Sequence, residues 1–508
     1  MWRKLTIAAA MATAAIMSAH AQEPVRGGTL TVATIGEPPT LDPMVSPADL
    51  VAMLSQHFLE TLYTFDANWN IVPLIATDLP EITDDGKGYT FQIREGLTFH
   101  DGSSLDAADV VASLNRWMEL SSRGKLVKES TVALTQEGDH TVRLELNRPF
   151  APLLALLANS ASAAVIMPEE NQDPELTEYI GSGPYKVQEW ASDQYLQLVR
   201  FDEYKARDET PSGYGGGRQQ YLDEIRFVPV PDSNTRVEAA IAGQFGYVDS
   251  VPVELRARLE TGATRPELIQ LSQWLLLQPN HAAGVLSDPV KRKAAQMALN
   301  FEEIMLAAFG DPQFFLIDGA FYPEGHPFHS RRGVDAYNKA DPEGARELLA
   351  TTDYNGEPVR IITSHQYEFQ FRTALVMQQN LEDAGFTVDV QPFDYGTMAQ
   401  MRRDPALYEF YIVNSPFPPD PGLIPALTRG SNGFWESPTK IAAVDAMNAA
   451  VDRDDRFAKW EDVQDRIYEE AGVFMVGKFS DLVAMSPKLQ GVKPEIVPYF
   501  WNGWLQAD

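Results

Sequence analysis

The stretch YTFQIREGLTFHDGSSLDAADVVASLNRW, residues 89–117, switches from a two-residue period to a helical one. Tyr89, Phe91 and Ile93 alternate with Thr90, Gln92 and Arg94, as on a half-buried strand, and Leu97 and Phe99 continue the alternation. His100-Asp101-Gly102 has the chemistry of a turn, and Asp106 with Asp109 three residues later forms a capping-box pattern. Val110, Val111, Leu114 and Trp117 then mark one buried helical face. The adjacent His100 and Asp101 therefore read as parts of a turn and not as a catalytic pair, because strand neighbours point to opposite sides.

Working outward, GGTLTVATIG (residues 27–36) reads as a strand, and PADLVAMLSQHFLETLY (47–63) as a helix with Asp49 near its positive end. HTVRLEL (140–146), GPYKVQEW (183–190) and YLQLVRF (195–201) are further strands. From Asp223 the order becomes strand, helix, strand in DEIRFVPVP, DSNTRVEAAIAG and FGYVDSVP. The same order returns in PVRIITS (358–364), FQFRTALVMQQNLEDAG (369–385) and FTVDVQPF (386–393), which implies open α/β sheets. PSGYGGG (211–217) lacks the Lys-Ser/Thr of a phosphate-binding loop and reads as a surface loop.

The chain has 508 residues, 41 basic against 71 acidic, a net charge of −30 and no cysteine. That length supports more than one packed core. The acidity disfavours nucleic acid and anionic lipid as partners, and the lack of cysteine removes disulfides, thiol nucleophiles and Cys-ligated metals. Met1-Trp2-Arg3-Lys4, the apolar LTIAAAMATAAIMSA and Ala19-His20-Ala21 have the form of a cleavable secretory signal, cut after Ala21 and without a lipid anchor. The expected location is the periplasm.

The 89–117 stretch also resembles the signature region of the family 5 extracellular solute-binding proteins, the dipeptide-, oligopeptide- and nickel-binding class of ABC importers. The resemblance extends to GSGPYKVQEW, VPDSNTRVEAAIAGQFGYVDSVP, DPVKRKAAQMALNFEEIMLAAFG, YNKADPEGARELLA and IYEEAGVFMVGKFSDLVAMSPKLQGVKP, in the family's order. It implies a two-lobed α/β binding protein of the Venus-flytrap kind with an inserted β-rich domain. Lobe I would comprise residues 22–61, 184–274 and 482–508, the insertion 62–183, and lobe II 275–481, with a hinge at the two crossovers. It further implies a monomer without cofactor that closes on a small solute and presents it to an ABC permease.

For the ligand, peptide-binding members resemble one another in a Trp-x-x-Asp stretch before an Asp-Pro pair. Aligned on Asp420-Pro421, Asn414 takes the Trp position and Phe417 the Asp position. Phe417 cannot hold an ammonium, so a simple peptide with a free N-terminus is disfavoured unless Asp420 substitutes. Arg372 falls near the position from which dipeptide-binding relatives hold a carboxylate; the alternative is a surface arginine in the first turn of its helix. Trp435, between Gly433 and Pro438, packs either in the core or in the cleft. Arg372, Asn414, Phe417, Asp420 and Trp435 are thus the candidate ligand contacts, suiting a partly apolar or aromatic solute with an anionic group. His326 and His329 lack a third ligand and read as loop residues, so no metal site is assigned, although a metal chelate of the nickel-binding kind is an alternative cargo. An exported hydrolase is the competing class, but no G-x-S-x-G elbow or H-E-x-x-H helix is present.

Overall fold

The computed structural model describes residues 23–364 and 366–506; the expected leader lies outside them. Eleven strands build one sheet: β1 (Thr29–Thr34), β2 (Tyr185–Ala191), β3 (Tyr195–Arg200), β4 (Glu224–Pro229), β5 (Tyr247–Val251), β6 (Arg265–Pro279), β7 (Phe315–Leu316), β8 (Pro358–Ser364), β9 (Thr387–Phe393), β10 (Phe410–Pro416) and β11 (Phe474–Met485). Their order is β2-β3-β4-β1-β5-β11-β6-β10-β8-β9, with β7 paired to β11.

Two parallel trios lie within this order, β4-β1-β5 and β10-β8-β9. Each contains one of the strand-helix-strand units legible in the sequence, and each is the centre of one lobe. Two long antiparallel strands join them. Residues 265–269 of β6 pair with 481–485 of β11 on the first lobe, and residues 273–277 pair with 474–479 on the second. Between these runs the register shifts, Leu271 takes a left-handed φ of 49°, and its N–H donates to Ser480 Oγ at 3.0 Å. A non-glycine residue in that region is strained, and the ladder is interrupted where one lobe passes into the other.

Alternation explains the layering. Leu30 and Val32 of β1 enter the first core, with Phe58, Tyr63 and Trp501, whereas Ala33 faces the helix Ser233–Ile241 on the other side. A second core gathers Leu275, Phe301, Val359, Phe410 and Phe474, and a third, rich in aromatics, gathers Trp274, Tyr322, Phe417, Trp435 and Trp460.

The 89–117 stretch lies in a separate four-stranded antiparallel sheet, in the order Glu81–Thr83, Gly88–Gln92, Thr141–Leu146, Thr131–Gly138. Its strand ends earlier than the alternation suggests. After Gln92 only isolated bridges at Ile93 and Thr98 remain, although Leu97 and Phe99 are buried. The capping box forms as read: Asp106 accepts from Ala108 N at 2.7 Å and Asp109 accepts from Asp106 N at 2.9 Å. His100 accepts from Gly181 N through Nδ1 (3.2 Å) and donates through Nε2 to Gly183 O (3.0 Å), so it ties the turn to a neighbouring segment. Helix α1 (Asp49–Ser55) is shorter than the sequence pattern suggests. His57 bonds back to Met53 O at 2.8 Å, and Glu60–Thr61 and Tyr63–Phe65 become short strands paired with Val165–Ile166 and Ile71–Pro73.

Candidate functional site

The second lobe carries a chamber of about 560 Å³, walled by β6 and β10 and by the loop of residues 424–432. Helix α2 (Glu368–Asp383), which follows β8, contributes Gln370; helix α3 (Tyr395–Met401), which follows β9, ends at Arg402. A second chamber of about 250 Å³ adjoins it at Ser415 and Pro425. This one lies between the lobes: Asp49, Trp69, Arg123 and Tyr214 are on one side and residues 415–419 on the other. The site thus sits beyond the carboxyl ends of parallel strands, where open α/β sheets bind ligands.

The expected insertion, residues 62–183, touches the second lobe. The Trp69 ring packs edge-on against Phe417 at 5.1 Å, and Ala151 N donates to Asn448 O at 2.8 Å.

Of the five sequence candidates, two are on the cavity wall. Asn414, on β10, faces the larger chamber, where its Oδ1 accepts from Gln370 Nε2 at 2.7 Å. Phe417 borders the interlobe chamber, with Trp69 and Trp274 against it. The other three are placed elsewhere. Arg372 points away from both chambers: its guanidinium bonds Glu368 and Glu254 at 3.1 Å each and the Ala308 carbonyl at 2.6 Å. It is the surface alternative that the structure adopts. Asp420 is buried, accepts from Gly422 N at 2.8 Å and pairs with Arg456 at 2.6 Å, so it does not replace the missing peptide-ammonium ligand. Trp435 is 1 % exposed; its indole donates to Glu470 at 2.8 Å and its ring stacks on His281, which places it in the core. Nor is His326 a solvated loop residue. It stacks on Tyr322 at 4.2 Å, and burial pushes its imidazole down to about 3.

The chamber's polarity comes from residues that had no sequence signal. Trp274 Nε1 and Arg402 Nε are buried donors with no hydrogen-bond partner, and Ser431 Oγ and Gln370 Oε1 are also unpartnered. The Arg402 guanidinium lies 5.8 Å over the Tyr411 ring and, among the described residues, is in no ion pair. Unmet buried donors are costly, and this wall holds Trp274 Nε1 and Arg402 Nε as unmet donors together with Gln370 Oε1 as an unmet acceptor. In the interlobe chamber Arg123 already donates to Ala161 O at 2.8 Å, while burial holds the Asp49 carboxyl above its usual range against the opposing charge of Arg123.

A chamber in one lobe that adjoins a second chamber between two lobes is the arrangement of a solute-binding receptor. The profile of the bacterial extracellular solute-binding proteins, family 5, matches residues 70–434, and the chain belongs to that family, the solute-binding components of ABC importers. It is 23% identical over 481 residues to a probable peptide ABC transporter periplasmic-binding protein of Sinorhizobium fredii, covering 91% of this chain and 90% of that protein. It is 26% identical to a glutathione-binding protein of Pectobacterium atrosepticum, covering 95% of each. Among solved structures, the binding protein AgaA of A. tumefaciens R10 in complex with agropinic acid aligns with a TM-score of 0.74 and 26% identity, covering 95% of this chain and 99% of that one. Among the described residues no helix is long and apolar enough to cross a membrane.

Proposed function

We propose that this protein, exported through the leader at residues 1–21, captures a small peptide-like or related organic solute and delivers it to its permease. We place the solute's anionic group in the second-lobe chamber against Arg402. The observation that carries this reading is the set of unpartnered donors on that wall, Trp274 Nε1, Arg402 Nε and Ser431 Oγ, around a guanidinium without a carboxylate. An acceptor-rich group satisfies all of them at once, and a carboxylate accepts two parallel bonds from a guanidinium. Relatives named for glutathione and agropinic acid bind carboxylated solutes, which supports the same class. Closure would complete the site, since a ligand shifts the lobes only by binding the closed arrangement better.

The test is calorimetry on the mature chain with glutathione, agropinic acid and a set of short peptides. Arg402→Ala is expected to weaken the tightest of these by roughly 30-fold or more, about 2 kcal/mol, and Arg372→Ala to leave it unchanged. The reverse order would overturn the assignment.

A further inference from the structure

The expected insertion reaches the second lobe at a place that belongs to neither chamber. Tyr89, Val142 and Leu153 share the first core with Leu30 and Trp501, so residues 62–183 move with the first lobe. Val444 and Met447 share the aromatic-rich core with Trp274 and Trp460, so the helix Pro438–Ala449 moves with the second. A rotation at the break beside Leu271 must therefore part the insertion from this helix.

Two segments of the insertion meet the helix at its carboxyl end. Ala151 N donates to Asn448 O at 2.8 Å, and that carbonyl is among the last four of the helix, which have no partner within it. Beside this bond the two bodies pack without a gap. A Cβ on Gly422 would lie 2.7 Å from both Pro152 Cγ and Asn448 Oδ1. The other segment is the turn between the strands Glu81–Thr83 and Gly88–Gln92. Asp84, Asp85 and Gly86 all take a left-handed φ, of 54°, 53° and 89°, a costly run for the two that are not glycine. It lays Gly86 on Val451, where a Cβ would stand 2.5 Å from Val451 Cγ1. Gly86 is buried although Asp84, Asp85 and Lys87 around it are exposed, so it is the second lobe that covers it.

We propose that the insertion is a clasp: its 84–86 turn and its 150–152 segment hold the carboxyl end of the helix Pro438–Ala449 and so set how readily the lobes part and how fast solute leaves. Only the second half of this rests on the solute-binding reading. Gly86, Ala151, Asn448 and Val451 are positioning residues, since they line neither chamber and act through the lobe angle. A single hydrogen bond and a small apolar seat are each modest in water, which suits a contact that must release. Because the contact exists in one lobe arrangement and not in the other, it biases the balance between them as a ligand would.

The experiment uses the mature chain and two variants. Val451→Asp sets a carboxylate against the Asp84-Asp85 turn. Gly86→Cys combined with Val451→Cys, in a chain without other cysteines, places two Cβ atoms 3.3 Å apart, close to the span of roughly 3.5–4.5 Å that a disulfide needs. Ligand-free Val451→Asp is expected to have a larger radius of gyration by X-ray scattering than the parent, whereas the oxidised staple keeps the parent's radius. A Val451→Asp chain as compact as the parent, or a folded double-cysteine chain that forms no staple on oxidation, would overturn the clasp. Exchange is followed by tryptophan fluorescence with short peptides free of cysteine as probes. Val451→Asp should release a bound peptide about 10-fold faster, and the oxidised staple should stop exchange until dithiothreitol restores it. Reduction of the same chain also controls for strain at residue 86. A larger radius with unaltered release would overturn the clasp's part in solute exchange. No binding of any peptide by the parent would overturn the peptide-like reading of the solute, and the scattering result would still decide the clasp.

Discussion

Arg372 and Gln370 are two positions apart on one helix, and that spacing decides which of them faces the chamber. At about 100° per residue, positions i and i+2 face nearly opposite sides. With Gln370 bonded to Asn414 at the chamber, Arg372 must turn outward to Glu254. Sequence alone located the helix but not its rotation. Asp420 shows a related limit: a carboxylate next to Pro421 can anchor a ligand or cap a turn, and Arg456 selects the second role. Removing one partner of such a buried pair leaves the other uncompensated, so Asp420→Ala is expected to cost about 3 to 5 kcal/mol in urea unfolding. His57 yields a pH prediction. Its Nδ1–H donates to Met53 O and its Nε2 accepts from Phe500 N at 3.0 Å, a neutral tautomer, and burial pushes the ring down to about 3. Below pH 6.5 the unfolded chain takes up a proton that the folded chain refuses. The stability His57 contributes is therefore complete above pH 6.5 and lost as pH falls toward 3, reaching on the order of 3 kcal/mol by pH 4. His57→Gln should flatten the stability profile between pH 6.5 and 4; an unchanged slope would refute the assignment.

At the scale of elements, the strand-helix-strand units were legible because alternation and caps are local. The strand at 358–364 has the bounds its apolar pattern suggests, and Asp232 caps the helix Ser233–Ile241 through Thr235 N. The segment 56–63 fits a helical period but turns at 56–58 and is then drawn into short strands, by the distant Val165–Ile166 at Glu60–Thr61 and by the neighbouring Ile71–Pro73 from Tyr63. Trp69 likewise had no signal. It lies between the short strands Tyr63–Phe65 and Ile71–Pro73 and reaches Phe417 across the cleft. Aromatic pairs of this kind contribute about 0.5–1.5 kcal/mol beyond their buried area. Trp69→Ala is expected to shift the ligand-free population toward open lobes, read as a larger radius of gyration by X-ray scattering and an affinity loss of about 10-fold. Phe417→Ala should reproduce this, and the double variant should add little, because both remove one contact.

For the whole molecule, 71 acidic against 41 basic residues leave a net charge of −30, which repels itself in the compact state. Added salt screens that repulsion over about 10 Å at 0.1 M. The melting temperature should therefore rise between 10 and 200 mM NaCl, and a fall would show that attractive ion pairs dominate instead. A solute present at 100 times its dissociation constant should add about 2.7 kcal/mol to unfolding. Because β6 and β11 run through both lobes, that stabilisation is expected to appear in one shared transition by calorimetry.

What the sequence determined by itself was local and repeated along the chain: the alternating strands, the capped helices, the family order of motifs, and hence the two-lobed α/β architecture. What only the tertiary structure decided was which polar side chains meet in one chamber: Trp274, Gln370, Arg402 and Ser431 come from four separate segments. No spacing rule links them, because their directions are set by strand register, helix rotation and the meeting of two lobes.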